Sequence, residues 1–182
     1  NYSINSIPSK GAFHPKLTLL ASDKEVLLIQ GSGNITSGGH GKNHEIFTAL
    51  YATNENQTQL PLILEAWEYM KSLTINVKGL SSDKLEWITR NTPLLQKKSS
   101  QKHRFHKVDK DFEAALLYNE KSGIWKQLKD NLQGEKILNI KIVSPFYDEN
   151  GALLLNMSTY FNDCPIEVYL QENKGIHPFK ME

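Results

Sequence analysis

His14 and Lys16 stand two residues apart at the head of the apolar run "HPKLTLL". On a strand, period 2 sends both side chains to one face. An ammonium there needs a partner, because a charge buried alone is costly. The next apolar run ends in "GSGN" at 31–34. Ser32 and Asn34 bring a hydroxyl and an amide, and the glycines beside them, Gly31 and Gly33, expose backbone N–H groups. Ammonium, imidazole, hydroxyl, amide and N–H make a pocket of donors suited to a phosphate. Glu45, beside Asn43 in "NHE", is placed to accept a hydrogen bond from an imidazole and raise its basicity.

The pair His-x-Lys is weak evidence by itself. It recurs as His40 and Lys42 inside the glycine-rich stretch "SGGHGKN", whereas His14 and Lys16 open an apolar run. Context separates the two pairs, so His40, Lys42 and His44 read as loop residues near the site rather than as catalysts.

Three short runs rich in Leu, Ile, Val, Phe and Tyr, at 13–20, 25–31 and 45–52, read as adjacent strands that would position these groups. From Gln59 to Leu73 the period changes. Leu60, Ile63, Leu64, Trp67 and Met70 recur at helical spacing, with Pro61 tolerated in the first turn. A second helix opens at "SSDK", with Ser82 as cap and Leu85 and Ile88 on one side, and stops before Pro93. Residues 96–110, "QKKSSQKHRFHKVDK", carry six Lys or Arg and a single acid, which describes a basic linker or loop. Lys97, Lys98, Lys102, Arg104 and Lys107, with Phe105 among them, are the candidates there for nucleic-acid contact.

Beyond the basic run, "FEAALLYN" (112–119) reads as a strand and "SGIWKQLKDNL" (122–132) as a helix capped by Ser122. "KILNIKIVSPFYD" (136–148) reads as a buried strand, "ENGALLLNMSTYF" as a helix and "PIEVYLQE" as a last strand. Strands alternating with helices argue for a βαβ unit and an α/β sheet. Trp67, Trp87 and Trp125 sit at helical spacings and are expected in the core. Ser144, Pro145 and Tyr147, after a strand, fit either the rim of a cleft or a plain bend.

The 182 residues suffice for one sizeable core. The chain begins at Asn1, which fits a piece of a larger protein, and a missing N-terminus would hide any signal peptide. Apolar residues make up 39% and charged residues 23%, ordinary globular usage, and no run approaches the roughly 18 to 20 apolar residues that span a bilayer. Net charge is +1, so attraction to nucleic acid would come from local patches. The single cysteine, Cys164, permits no internal disulfide and no Cys-based metal site, which fits a reducing compartment, the cytoplasm.

"FHPKLTLL", "GSGNITSGG" and "NHEIF" together resemble the phospholipase D superfamily, whose signature is His-x-Lys, a pair of apolar strands, Gly-Ser-x-Asn, and a strand carrying a Glu. They look most like its bacterial nuclease-like and helicase-associated branch. "FEAALLYN", "IKIVSPFYDENGALL" and "IEVYLQ" resemble the start of the family's second repeat. The resemblance implies an α/β fold, a phospholipase-D-like mixed β-sheet flanked by helices in an incomplete two-repeat arrangement. Residues 1–95 would be the C-terminal part of the first repeat, 96–110 the linker, and 111–182 the N-terminal part of the second.

Carried over, the resemblance makes His14 the histidine that attacks phosphorus or protonates the leaving oxygen. Lys16 and Asn34 would hold the non-bridging oxygens, supported by Ser32 and Gly33, and Glu45 would orient an imidazole. It implies no metal and no cofactor, and a DNA or other nucleic-acid backbone as substrate, with no membrane. A helicase or ATPase domain would accompany it in a bacterial defence or restriction protein. The alternative is an incomplete module that binds phosphate or nucleic acid without cutting it. Two departures stand out. The family's Asp falls at Ala21, with Asp23 two positions late, and the motif occurs once, since His177 and Lys180 are three apart. The mechanism needs two histidines. The second would come from a longer chain or from a homodimer mate.

Overall fold

The structure, a computed structural model, describes residues 4–75, 81–99, 102–119, 122–148, 150–162, 164–170 and 172. They are mixed α/β and group into two units, Asn1–Asn131 and Leu132–Glu182. The first unit therefore takes in the basic run and runs on past residue 111, where the resemblance starts a second repeat. His177 and Lys180 lie outside the described residues.

In the first unit, β1 (Leu17–Ala21), β2 (Glu25–Gly31) and β3 (Phe47–Thr53) form an antiparallel meander with β2 in the centre. The register sets Leu19 against Leu28, Leu28 against Leu50, and Val26 against Ala52. With side chains alternating across each strand, Leu17, Leu19, Val26, Leu28, Leu50 and Ala52 share one face. Val26, Leu28 and Ala52 on that face are fully buried, and α1 (Leu60–Ser72) packs against β2 and β3.

β1 begins at Leu17 rather than at residue 13. Pro15 has no N–H for a ladder, and the pairing extends only to the Gly31 N–H donating to Lys16 O at 3.4 Å. β3 likewise starts at Phe47 rather than 45, because the Ile46 N–H donates to Ser32 Oγ at 3.1 Å instead of to a backbone carbonyl.

Helix α1 is buried on more of its circumference than one amphipathic stripe requires. Leu62, Glu65, Ala66 and Tyr69 are buried along with Leu60, Ile63, Leu64 and Trp67, as befits a central helix. Trp67, 1% exposed, donates its indole N–H to Thr89 Oγ1 at 3.3 Å and so joins α1 to α2 (Ser81–Asn91). Leu85 and Ile88 of α2 pack on the core. The helix is already running at Ser81, so Ser82 stands in its first turn and is not its cap. Trp87 is 62% exposed and not in the core. A 3-10 turn at Pro93–Gln96 then buries Leu94 and Leu95.

The basic run is more than a solvated linker. β4 (His106–Lys107) pairs antiparallel with β5 (Glu113–Ala114), and Val108 packs on the core. The expected strand over 112–119 shrinks to β5, because side chains take the place of a neighbouring strand for the rest. Gln127, on α3 (Ile124–Asn131), is buried. Its Oε1 accepts from the Tyr118 N–H at 3.3 Å, and its Nε2 donates to Tyr118 O at 2.8 Å. The Ile124 N–H at the head of α3 donates to Asn119 Oδ1 at 3.2 Å, a role expected of Ser122. Trp125 is half-buried, with the Lys129 ammonium 5.5 Å from its ring centroid.

The second unit is a βαβ element, with β6 (Ile140–Val143) and β7 (Ile166–Tyr169) parallel and α4 (Ala152–Tyr160) between them in sequence. Asp148 Oδ2 accepts the Ala152 N–H at 2.6 Å and secures the start of α4. The strand expected over 136–148 is four residues long and half-buried only at Ile140 and Ile142, with Val143 76% exposed. Ser144 Oγ donates to Phe146 O at 2.9 Å, the local pattern of a bend. No helix among the described residues is long and apolar enough to cross a membrane.

Candidate functional site

One end of the meander brings three segments side by side. The Gly31 N–H reaches Lys16 O at 3.4 Å and the Ser32 N–H reaches Ile46 O at 3.0 Å, so residues 14–16, 31–34 and 43–46 meet there. Lys16 Nζ lies 2.6 Å from His14 Nδ1 and 3.1 Å from Nε2, and donates to His14 O at 3.0 Å. An ammonium only donates, so the ring nitrogen it bonds is the one without a proton. The imidazole at this strand end thus keeps a lone pair beside a fixed positive charge.

Glu45 is held differently from what the sequence implies. Its Oε2 accepts from Ser32 Oγ at 2.5 Å and its Oε1 from Asn43 Nδ2 at 3.3 Å. No imidazole hydrogen bond to Glu45 occurs among the described residues, and His14 turns to Lys16 instead. The hydroxyl of Ser32 chiefly, and then the Asn43 amide, hold the Glu45 carboxyl below the usual carboxylate range; burial opposes them, and the charges of Lys16 and His40 add lesser help. Glu45 is therefore an ionised anchor that orients Ser32, and its field reaches Lys16.

The glycines of "GSGN" are required by close packing. A Cβ on Gly31 would collide with Phe47 Cδ1, and one on Gly33 would meet Gly39 O at 2.5 Å and Phe47 Cζ at 2.6 Å. The Phe47 ring thus lies across both glycines, with the His40 ring edge-on to it at 5.5 Å. Asn34 is exposed, and its carbonyl accepts the Thr36 N–H at 2.8 Å. Lys42 and His44 are exposed loop residues.

His14 and Lys16 open onto a cleft of about 430 Å³ inside the first unit, which Gly31, Tyr118 and Asn119 also line. The segment 116–119 is thus a wall of the site. Lys97 donates to Gln57 Oε1 at 2.5 Å, while Lys98, Lys102, Arg104 and Lys107 are exposed. None of these five lines the His14 cleft; Lys107 belongs to a second, polar one of about 500 Å³ that also takes in Tyr51 and Lys110. Among the described residues no three of His, Cys, Asp and Glu come together as a metal-holding group.

The sequence reading missed the support behind that wall. Glu65 is 0% exposed. Its Oε1 accepts the His103 N–H at 2.6 Å and lies 3.2 Å from His103 Nδ1, and its Oε2 has no partner among the described residues. His103 Nδ1 is also 3.2 Å from Leu116 O. A carbonyl only accepts, so that nitrogen carries the proton. The His103 ring packs edge-on against Tyr118 at 4.5 Å, and Tyr118 against Tyr69 at 4.4 Å. Burial pushes the Glu65 carboxyl up, and the His103 N–H with the charges of His103, His106 and Lys102 offsets that only in part. One signal was visible, an acid inside the apolar helical run "LPLILEAW".

No family model matches the chain, and no curated protein or solved structure matches it.

Proposed function

We propose that the strand-end cluster is a phosphodiester site and that the chain is a metal-independent phosphodiesterase, a DNA nuclease of phospholipase-D-like fold within a larger bacterial defence, restriction or helicase-type protein. The observation that carries this is the Lys16 ammonium 2.6 Å from the His14 imidazole, beside Gly31–Asn34. A phosphodiester entering the cleft takes the ammonium onto a non-bridging oxygen and frees the His14 lone pair. That nitrogen attacks phosphorus, the P–O bond to the leaving strand breaks, and a phosphohistidine forms. Lys16 and Asn34, with the N–H groups around Gly33, meet the charge on the five-coordinate transition state, and Ser32, whose hydroxyl is given to Glu45, supports the turn that carries them. A second histidine, from a longer chain or a homodimer mate, protonates the leaving oxygen. It then activates the water that hydrolyses the P–N bond.

A second reading is a module that grips phosphate or nucleic acid without cutting it. Its support is that the sequence holds the combined His-x-Lys and Gly-Ser-x-Asn set once. One experiment decides between them. The full-length protein is incubated with labelled single- and double-stranded DNA in EDTA, wild type beside His14→Ala and Lys16→Ala. Cleavage lost by about a thousandfold in His14→Ala supports the enzyme. Cleavage that needs a divalent metal, or that survives loss of His14, overturns it. Binding lost in Lys16→Ala without any wild-type cleavage supports the module.

A further inference from the structure

The cleft holding His14 and Lys16 is much larger than a phosphate group requires. At about 430 Å³ it falls in the range of sites that enclose a whole small molecule, and much of its wall is not cationic. Phe13, next to His14, is 47% exposed, and Ile124 is 44% exposed; both line the cleft, as do the amide-bearing Gln30 and Asn119. Asn119 is fixed through its Oδ1 by the Ile124 N–H at 3.2 Å. Tyr118 is clamped between the rings of His103 and Tyr69, at 4.5 and 4.4 Å. A ligand complementary to these walls carries an anion, a flat apolar body and an edge that both donates and accepts hydrogen bonds.

We propose that the cleft seats one unpaired nucleotide, with its phosphate at His14 and Lys16, its base on the Phe13–Ile124 wall and its edge toward Gln30 and Asn119. This rests on the phosphodiester reading of the same cluster and adds a strand preference to it. In a duplex each base face is covered by its neighbours and each edge is paired. A base therefore reaches such a wall only from a single strand or after extrusion from the helix. Contact with one base is worth about 5- to 150-fold in affinity.

The test is fluorescence anisotropy with the full chain in EDTA at fixed salt, using a labelled 12-mer as a single strand, as a duplex, and as a single strand with abasic sites. Single strand is expected to bind at least about tenfold tighter than duplex. Phe13→Ala and Ile124→Ala should each weaken the normal single strand by about 5-fold or more and leave the abasic strand unchanged. Phe13→Leu, which keeps apolar area without a ring, should fall between wild type and Phe13→Ala. Equal affinity for normal and abasic strands overturns the base seat, while loss of all binding in Lys16→Ala leaves the phosphate site standing. If Lys16→Ala changes none of the three, the phosphodiester reading itself fails. Binding to phosphatidylglycerol vesicles that depends on Phe13, without a preference for single strands, would assign the wall to a lipid and overturn the proposal.

Discussion

The first unit sets two glutamates in opposite surroundings. Glu45 stands at an open strand end, where Ser32 and Asn43 donate to it and its carboxyl is held down. Glu65 stands on the buried face of α1, where desolvation pushes its carboxyl up although His103 is beside it. Each has basic groups near it, so the sign of the effect follows from the solvent and the number of donors. The open glutamate is suited to steady orientation of other groups. The buried one ties α1 to the basic run and keeps Tyr118 in the cleft wall.

The largest effect that would test this contrast is on stability. Glu65→Ala leaves the His103 N–H without its acceptor and should cost about 3 kcal/mol in urea unfolding. Glu45→Ala should shift the midpoint far less, since the carboxyl it removes is open to solvent. Equal costs would erase the distinction. Next comes the packing demand of the open site. Gly33→Ala pushes a methyl against Gly39 O and Phe47 and should cost about 1–3 kcal/mol. Part of that loss should return in the double variant with Phe47→Ala, with a coupling of at least about 0.5 kcal/mol.

The pH dependence should also divide the two. The folded-state value of Glu65 is raised, so its contribution is complete in acid and is lost as pH rises through that raised value. Glu65→Gln keeps an acceptor and should flatten this part of the stability profile. Glu45 has the reverse sign: its contribution is present above the usual carboxylate range and is lost as pH falls through its lowered value. The smallest effect expected is therefore in Glu45→Gln, a slight flattening of the acid limb alone, measurable by unfolding at stepped pH.

The parts that periodicity controls were legible in the sequence. The apolar runs gave the three adjacent strands, the helical spacing of Leu60 to Met70 gave α1, and the strand-helix-strand pattern gave the βαβ element. Elements whose hydrogen bonds leave the backbone were not. The run 112–119 is apolar enough for a strand, yet Gln127 and His103 take its backbone groups, and no apolar pattern encodes a distant amide. Trp87 fits the helical period but faces solvent, since period fixes a face and not which face is covered. At the site, the grouping of His14, Lys16, Ser32 and Glu45 was readable from spacing, whereas the choice of Ser32 over an imidazole as the partner of Glu45 depends on where the strands stop.

Gln127 has a consequence for motion. In a sheet, each amide is retained by a ladder whose rungs support one another, whereas both backbone groups of Tyr118 are retained by one side chain. Deuterium uptake at the Tyr118 amide should therefore follow the fraying of α3 rather than global unfolding. Gln127→Ala should speed exchange there without speeding it at Leu28, in the central strand. The wall beside His14 and Lys16 is in this sense latched at Tyr118 by the Gln127 carboxamide.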